Sequence, residues 1–250
     1  MDDRSHTYHT PVLLEETIDL LNINPEGIYV DVTFGGGGHS GPILHRMNAK
    51  GRLFGFDQDE QAKANAIDDT RFTFVRGNFQ YISHFIKYYG VEGVDGILAD
   101  LGVSSFHFDE PSRGFSYRFD SKLDMRMNQD GALTAQDVLA NYSQKQLQYI
   151  FSNYGELRNA KTFSEAVCEV RGVAKIEEVR HLLDVIGRVY RGDRQRYTSQ
   201  VFQALRIEVN DEVGTLKTFL ANAINLLAVG GRLVVITYHS LEDKLSLIHI

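Results

Sequence analysis

A glycine-rich segment near the amino terminus, residues 31–40 with the sequence DVTFGGGGHS, has the residue types of a ligand-binding loop. Its glycines fall into two overlapping patterns, G-x-G-x-x-G at Gly36, Gly38 and Gly41, and D-x-T-x-G-x-G at Asp31, Thr33, Gly35 and Gly37. Glycine lets the backbone approach a ligand closely, and a helix that begins near His39 directs free N–H groups at an anionic group. Asp57 follows about 20 residues later, the spacing of a ribose-binding carboxylate. The pattern predicts a site for a nucleotide-like cofactor.

Asp31 decides between two classes of cofactor. A carboxylate beside the loop would repel the pyrophosphate of NAD, whereas S-adenosylmethionine offers an ammonium to Asp31 and a carboxylate to the helix N-terminus. Asp57 then accepts hydrogen bonds from the ribose hydroxyls. These residues favour an S-adenosylmethionine-dependent methyltransferase, with a nucleotide-dependent oxidoreductase as the alternative. A third interpretation treats Asp31 and Asp57 as polar strand ends and His39 as an ordinary first-turn helix residue.

Strand and helix patterns alternate from residue 27 to residue 101 with short connections. The predicted strands are 27–33, 52–57, 71–76 and 93–101, and the predicted helices between them are 39–48, 60–67 and 81–89. Such alternation predicts a parallel sheet that is covered by helices on both faces. The fold class expected is therefore α/β, a Rossmann-like class I methyltransferase sheet.

The alternation stops after residue 101. Residues 104–128 are predicted to form a structured loop, and helices are predicted at 134–153, 161–170, 176–190 and 199–227, before a last strand at 232–238. The simplest interpretation is a sheet interrupted by an all-helical insert. We predict a methyltransferase domain in two parts, residues 1–105 and 199–250, with residues 106–198 as the insert.

Composition restricts the class of protein further. The chain has a net charge of −7 and 43% hydrophobic residues, without an apolar run of membrane-spanning length or a signal sequence. We expect a cytoplasmic protein that does not bind a membrane. Cys168 is the only cysteine, which excludes an internal disulfide and a cysteine-based zinc cluster, and no metal site is predicted.

Basic residues concentrate in the predicted insert. Residues 106–199 contain 14 Lys+Arg against 13 Asp+Glu, although the whole chain has 26 against 33. The stretch GRVYRGDRQRYT at 187–198 is the most basic, with Arg188, Arg191, Arg194 and Arg196 interleaved with Tyr190 and Tyr197. Arginines pair with phosphates and both residue types stack on unpaired bases, so this stretch is predicted to bind RNA. The alternative is a solvated helix end.

Seven segments resemble the bacterial ribosomal RNA small-subunit methyltransferase H family (RsmH, formerly called MraW). They are HTPVLL at 9–14, DVTFGGGGHS at 31–40, DLGVSS at 100–105, RGFS at 113–116, LDMRM at 123–127, FQALRI at 202–207 and HSLED at 239–243. The resemblance implies a Rossmann-like methyltransferase with an inserted helical domain. It also implies S-adenosyl-L-methionine as cofactor and N4 of a cytidine in the decoding region of 16S ribosomal RNA, within the small ribosomal subunit, as target.

The resemblance implies cofactor contacts at Gly37, Gly38, His39, Asp57, Phe79 and Asp100. Two features of this sequence depart from the family pattern. Phe106-His107 replaces the Pro-Gln that often follows DLGVSS, so His107 is predicted to donate the hydrogen bond expected from the Gln. Residues 245–250 do not resemble the family's continuation, which suggests a shortened or aberrant carboxyl terminus.

Transfer of a methyl group to cytosine N4 requires an acceptor, because the lone pair of this amino group is delocalised into the ring. Asp100 ends the fourth predicted strand, where doubly wound sheets bind ligands, and is the first candidate for amine acceptor or cofactor contact. Ser104, Asp124 and His239 are further catalytic candidates, and Phe106 or Phe115 could stack on the base. An internal ion pair between Asp124 and Arg126 is the alternative for Asp124. A non-catalytic RNA-binding or assembly protein with the same fold is the remaining hypothesis.

Overall fold

Residues 11–103 and 110–249 are described in the computed structural model of this chain. They divide into two units, one of Met1–Gly102 with Gly214–Ile250 and the other of Val103–Val213. The second unit extends further toward the carboxyl terminus than the predicted insert 106–198. The extension arises because a helix at Arg194–Val209 packs Val201 and Leu205 into the core of the helical unit. Within the described ranges, no helix combines the length and apolar composition needed to cross a membrane.

The described residues contain five strands and ten α-helices. The strands are β1 (Ile28–Asp31), β2 (Arg52–Asp57), β3 (Phe72–Arg76), β4 (Val94–Asp100) and β5 (Leu227–Ile236). The helices are α1 (Leu14–Leu21), α2 (Ser40–Arg46), α3 (Ile82–Tyr88), α4 (Ala135–Asn141), α5 (Gln144–Asn153), α6 (Ala160–Arg171), α7 (Val179–Val189), α8 (Arg194–Val209), α9 (Glu212–Leu226) and α10 (Ser240–His249). The predicted helix at 60–67 is a 3-10 helix, Glu60–Asn65.

The strands of the first unit form one parallel sheet in the order β3-β2-β1-β4-β5. β1 and β4 are neighbours in the sheet although they are distant in the sequence. Successive strands are added on one side of β1 up to β3, and on the other side from β4 onward. Loops that leave the carboxyl ends of β1 and β4 run to opposite sides, and ligands bind in the crevice that results. Asp31 and Asp100 end these two strands, so the fold itself places both carboxylates at the crevice.

Hydrophobic residues cover both faces of this sheet. Tyr29, Leu53 and Leu98 pack in one buried cluster, and their chain neighbours Val30, Phe54 and Ile97 pack in another. Successive side chains of a strand point to opposite faces, so strands buried on both faces carry continuous apolar runs. The prediction of an α/β sheet of the Rossmann-like methyltransferase class is confirmed.

The helical unit has its own core, formed by the apolar faces of α4 to α8. The predicted single helix 134–153 is wrong, because the chain forms α4 and α5 with a break at Tyr142–Ser143. Ser143 accepts a hydrogen bond from the N–H of Gln146, whose side chain bonds back to Ser143 N–H. A capping box of this kind starts a new helix.

The predicted helix 199–227 is also wrong. It is interrupted at Asn210–Asp211, where α8 ends and α9 begins, and Asp211 has the left-handed φ of 45°. The Asn210 side chain bonds the N–H of Met127 and the carbonyl of Met125, so it holds the loop of the same unit at the break. The last strand begins at Leu227, earlier than the predicted 232.

Candidate functional site

The glycine loop after β1 has a backbone that only glycine adopts readily. Gly35 and Gly37 have φ values of 50° and 76°, in the left-handed region. A Cβ on Gly37 would lie 3.1 Å from the Phe34 ring, and a Cβ on Gly38 would lie 2.5 Å from Pro11 Cγ. Gly35, Gly37 and Gly38 therefore have steric or conformational reasons for being glycine, whereas a Cβ on Gly41 would meet no atom within 4 Å.

Asp31 is a buried carboxylate, with 2% of its surface exposed. Its Oδ2 accepts a hydrogen bond from the Ser40 hydroxyl at 2.7 Å, and its Oδ1 accepts one from the Thr33 N–H at 3.1 Å. Burial raises the pKa of Asp31, although the hydrogen bond from Ser40 lowers it in part. Asp31 thus ties the end of β1 to the start of α2. A cation beside Asp31 would compensate part of the solvation energy that the ionised carboxylate loses on burial.

Asp57 braces the same loop from β2. Its Oδ2 accepts a hydrogen bond from the Gly35 N–H at 2.9 Å, and its Oδ1 accepts one from the Asp59 N–H at 2.8 Å. These two hydrogen bonds hold the Asp57 carboxylate at the end of β2 beside the glycine loop. This structural role was missed in the sequence, where Asp57 was expected to contact only the ligand.

Asp100 lies at the end of β4. Its N–H donates to Thr33 Oγ1 at 2.7 Å, and its Oδ1 accepts a hydrogen bond from the Tyr238 hydroxyl at 2.8 Å. Its Oδ2 lies 3.8 Å from Nδ1 of His39, which is buried and donates from Nε2 to the carbonyl of Val12. Burial raises the pKa of Asp100, and Tyr238 and His39 oppose this shift. A carboxylate with a raised pKa is a stronger base and a stronger hydrogen-bond acceptor.

Sequence comparisons give the family. The profile of the MraW methylase family matches residues 6–249. The Ribosomal RNA small subunit methyltransferase H of Phocaeicola vulgatus is 54% identical over 98% of this chain and 81% of its own length. Proteins of the same name from Bacteroides fragilis strain YCH46 and Flavobacterium johnsoniae are 52% and 50% identical, over 98% and 95% of this chain and 81% and 79% of their own lengths. The chain belongs to the MraW methylase family.

Membership of this methylase family confirms the prediction of a methyltransferase and removes the oxidoreductase alternative. The structure brings most of the predicted site together in the first unit of the methylase. Hydrogen bonds and close approaches link the glycine loop to the ends of three strands. The linked residues are Asp31, Gly35, His39, Asp57 and Asp100.

Phe79 follows β3 in the same unit. Its ring packs edge-on against Phe219 at a centroid distance of 5.1 Å and is partly buried. Its cofactor contact stays a prediction. Ser104, Phe106 and His107 lie outside the described residues, as does the rest of the DLGVSS continuation up to residue 109.

Two other catalytic candidates lie in tight local contacts. Asp124, in the helical unit, forms a two-pronged ion pair with Arg126, whose Nε and Nη2 lie 2.9 and 2.7 Å from Oδ1 and Oδ2. Burial alone would raise the pKa of Asp124, but the hydrogen bonds from Arg126 outweigh it and the pKa is lowered. His239, after β5, is mostly buried, with Nε2 3.1 Å from Glu242 Oε1 in an orientation too poor for a hydrogen bond. Their catalytic roles stay predictions.

Two aromatic residues of the helical unit do not fit the expected stacking role. Phe115 and Tyr197 are each 4% exposed and belong to its hydrophobic core. The Tyr197 hydroxyl donates to Asn159 Oδ1 at 3.0 Å, which explains how a tyrosine is accommodated there. The expectation that Phe115 or Tyr197 presents a stacking face is therefore wrong, because burial removes the ring from any base.

The predicted basic stretch does lie on the surface. All four of its arginines are exposed: Arg188, Arg191, Arg194 and Arg196. Asp193 accepts a hydrogen bond from the Arg196 N–H at 2.7 Å and so caps the start of α8. Arg194 lies 5.9 Å from the ring centroid of Tyr190, which is itself exposed. The one acidic residue of the stretch thus serves the helix start, and the arginines remain available on the surface.

Tyr238 was not singled out in the sequence. It immediately precedes the HSLED segment, and its hydroxyl is the hydrogen-bond donor to Asp100. The signal that could have found it is its position: β5 neighbours β4, and Ile236 pairs with Asp100. A polar aromatic residue two positions beyond that pair must emerge at the same edge of the sheet.

Proposed function

We propose that this chain transfers a methyl group from S-adenosylmethionine to N4 of a cytidine in the decoding region of 16S ribosomal RNA. Its substrate is the small ribosomal subunit, in the bacterial cytoplasm. One observation carries the proposal. In a chain of the MraW methylase family, a glycine loop, a buried carboxylate and an acceptor carboxylate are held together at the carboxyl ends of β1 and β4. The name of the relatives, Ribosomal RNA small subunit methyltransferase H, supports the choice of substrate.

The cofactor fits the charges around the loop. S-adenosylmethionine supplies the methyl group when it is bound. Asp31 pairs with its ammonium, which compensates the cost of burying that carboxylate. Gly37, Gly38 and His39 line the approach of its amino-acid end, Asp57 accepts from the ribose hydroxyls, and Phe79 packs beside the adenosine.

Asp100 performs the chemical role in this proposal. Cytosine N4 attacks with a lone pair that is no longer delocalised into the ring, so the nitrogen becomes pyramidal. An acceptor that takes a hydrogen bond from one N–H of the amino group favours this pyramidal geometry. The new N–C bond forms as the S–C bond breaks, and the second product is S-adenosylhomocysteine. The nitrogen then loses a proton, for which the raised pKa of Asp100 makes its carboxylate a suitable acceptor.

Two measurements test this function. Calorimetric titration should show binding of S-adenosylmethionine and S-adenosylhomocysteine, and no binding of NAD. Mass mapping of 16S ribosomal RNA from a strain without the gene should show one cytidine that lacks its N4 methyl group, restored when the gene is returned. An unchanged methylation pattern in that strain, or binding of NAD alone, would exclude the proposal.

Asp57→Ala tests the ribose assignment. We expect S-adenosylmethionine affinity to fall by about 10-fold or more, since a hydrogen bond to a charged group is worth about 1.5–3 kcal/mol. A smaller loss of thermal stability should accompany it, because Gly35 and Asp59 lose their acceptor. Calorimetry and thermal unfolding measure the two effects separately.

The matched control for Asp57→Ala is Asp59→Ala. Asp59 is buried, and its side chain accepts a hydrogen bond from the Gln61 N–H at the start of a 3-10 helix. Its loss should reduce stability and leave the affinity for S-adenosylmethionine within a few-fold of the parent. Parental affinity in a folded Asp57→Ala protein would exclude the ribose role.

RNA binding is assigned in this proposal to the basic stretch of the helical unit, residues 187–198. Its exposed arginines can pair with phosphates, and the Arg194–Tyr190 pair offers a stacking surface to an unpaired base. A splayed, single-stranded target suits such a surface. We therefore predict that the triple variant Arg191→Gln, Arg194→Gln, Arg196→Gln binds RNA more weakly. The slope of its affinity against salt should fall by about 2, at roughly 0.7 per lost phosphate contact.

A control with the same change in charge comes from three exposed lysines of the same unit: Lys145, Lys161 and Lys175. Their replacement by Gln should leave most of the salt slope in place. Affinity for S-adenosylmethionine should be unchanged in both triple variants. If the arginine variant binds and methylates RNA like the parent across a salt series, the stretch is only a solvated surface.

A further inference from the structure

Tyr238 is an exposed aromatic residue that follows β5, a strand in which Ile236 is the buried residue. Its side chain is 54% exposed, whereas Ile236, two residues earlier at the end of β5, is buried. Ile236 pairs with Asp100 in the sheet, so Tyr238 emerges at the crevice edge beside the proposed acceptor. A ligand in the crevice can therefore reach the exposed ring.

Both ends of Tyr238 are held in place. Its backbone N–H donates to Glu242 Oε2 at 2.9 Å, and its hydroxyl donates to Asp100 Oδ1 at 2.8 Å. Burial of the hydroxyl and the nearby carboxylates raise the pKa of Tyr238, so the hydroxyl stays a donor throughout the physiological range. The hydrogen bond to Asp100 restrains the ring before any ligand arrives, which reduces the entropy cost of binding.

The contacts of Tyr238 leave its ring as the part available to a ligand. The hydroxyl is already committed to Asp100, and the nearest atom to a Cβ built on Gly102 is Tyr238 Cδ2, at 3.6 Å, which places the ring over a glycine backbone. An exposed, immobilised π face beside a hydrogen-bond acceptor is the combination that binds a flipped nucleobase. Stacking on the ring does not distinguish one base from another. The Asp100 carboxylate accepts hydrogen bonds, so it favours a base that carries an amino group.

We propose that Tyr238 stacks on the base to be methylated and holds its exocyclic amino group beside Asp100. This role rests on the proposed function, since it names the contact that presents the cytosine to the acceptor. It also replaces the stacking role that was expected of Phe115. Tyr238 therefore touches the substrate, and its hydroxyl additionally orients the Asp100 carboxylate.

Two substitutions separate the ring from the hydroxyl. Tyr238→Phe keeps the ring and removes the hydroxyl, whereas Tyr238→Gln removes the ring together with the donor to Asp100, because the shorter side chain does not reach that carboxylate. We expect Tyr238→Gln to lower kcat/KM for small-subunit methylation by about 10- to 100-fold, the range measured when base stacking is lost. Tyr238→Phe removes one hydrogen bond to the Asp100 carboxylate and should lower kcat/KM by less than Tyr238→Gln does, by about 10-fold at most. The control is Tyr88→Gln, which removes a tyrosine 82% exposed on α3.

A spectroscopic measurement gives a readout independent of turnover. A fluorescent cytosine analogue is placed at the target position of a 16S ribosomal RNA fragment, and its quenching by bound protein reports stacking. Parent, Tyr238→Phe and Tyr88→Gln should quench it, and Tyr238→Gln should not. S-adenosylmethionine affinity, measured by calorimetry, should be the same in all four proteins.

Each outcome decides the role. Parental quenching and kcat/KM in Tyr238→Gln would overturn it, and so would a loss in Tyr238→Phe as large as that in Tyr238→Gln, because the hydroxyl alone would then matter. If Tyr238→Gln does not fold, Tyr238→Leu replaces it in the same comparison. A parent protein that quenches the analogue but leaves N4 unmethylated would overturn the proposed function and retain Tyr238 as a base-stacking residue.

Discussion

Asp100→Asn should reduce the rate of methyl transfer by about 10²- to 10³-fold. The amide has nearly the shape of the carboxylate and keeps an oxygen for the Tyr238 hydroxyl. It lacks the charge that attracts the N4 hydrogen and cannot accept the proton that the nitrogen loses. Single-turnover rates with saturating S-adenosylmethionine and small ribosomal subunits measure this step apart from product release.

The folding stability of Asp100→Asn should equal or exceed that of the parent at neutral pH. Burial raises the pKa of Asp100, so the folded protein holds this proton more tightly than the unfolded chain. The stability that Asp100 contributes is therefore fully present below the unfolded pKa and is lost as pH rises through the folded pKa. In thermal unfolding, the midpoint temperature of Asp100→Asn should exceed that of the parent by the largest margin at neutral pH. This margin should shrink as the pH falls. A site of this kind exchanges stability for function.

Asp95→Asn is the matched control for this result. Asp95 lies at the other end of β4, where its Oδ2 accepts a hydrogen bond from the Ile28 N–H at 2.8 Å. Like Asp100→Asn, Asp95→Asn removes one negative charge from β4. It should nevertheless leave the methylation rate within a few-fold of the parent. Parental turnover in a folded Asp100→Asn protein would remove Asp100 from the chemical step.

The part of the site that sequence could predict is the part determined by local rules. Asp31, the loop glycines and Asp57 follow from the alternation of strands and from spacing, because the end of a parallel strand always meets the same edge of the sheet. Position at a strand end likewise indicated Asp100. For these residues, backbone geometry fixes the location without reference to distant side chains.

The features that the sequence did not predict depend on contacts between segments that are far apart in the chain. The break at Asn210–Asp211 arises because the Asn210 side chain bonds Met125 and Met127, and no periodicity in 199–227 reports that. Tyr197 is interleaved with arginines, yet its partner Asn159 draws it into the core. Burial of single residues in short charged stretches is therefore the least predictable property of the chain.

Asp31→Asn should lower the affinity for S-adenosylmethionine by about 10- to 100-fold, since it removes the negative charge opposite the ligand ammonium. The fold should tolerate the change. The amide oxygen can still accept from the Thr33 N–H, and the amide nitrogen can donate to the Ser40 hydroxyl, which now accepts. Because burial raises the pKa of Asp31, removing its charge should leave stability at neutral pH unchanged or higher.

A ligand control isolates the ammonium contact in this variant. Methylthioadenosine has the adenosine and the sulfur but lacks the amino-acid end, so Asp31 has no cation to meet in it. We expect Asp31→Asn to bind methylthioadenosine as the parent does, and to lose affinity for S-adenosylmethionine and S-adenosylhomocysteine alike, because both carry the ammonium. Equal losses for all three ligands would mean that Asp31 acts only by shaping the loop through Ser40. No loss for any of them would mean that the ammonium binds elsewhere, and the cofactor orientation that brings the methyl group toward Asp100 would have to be reversed.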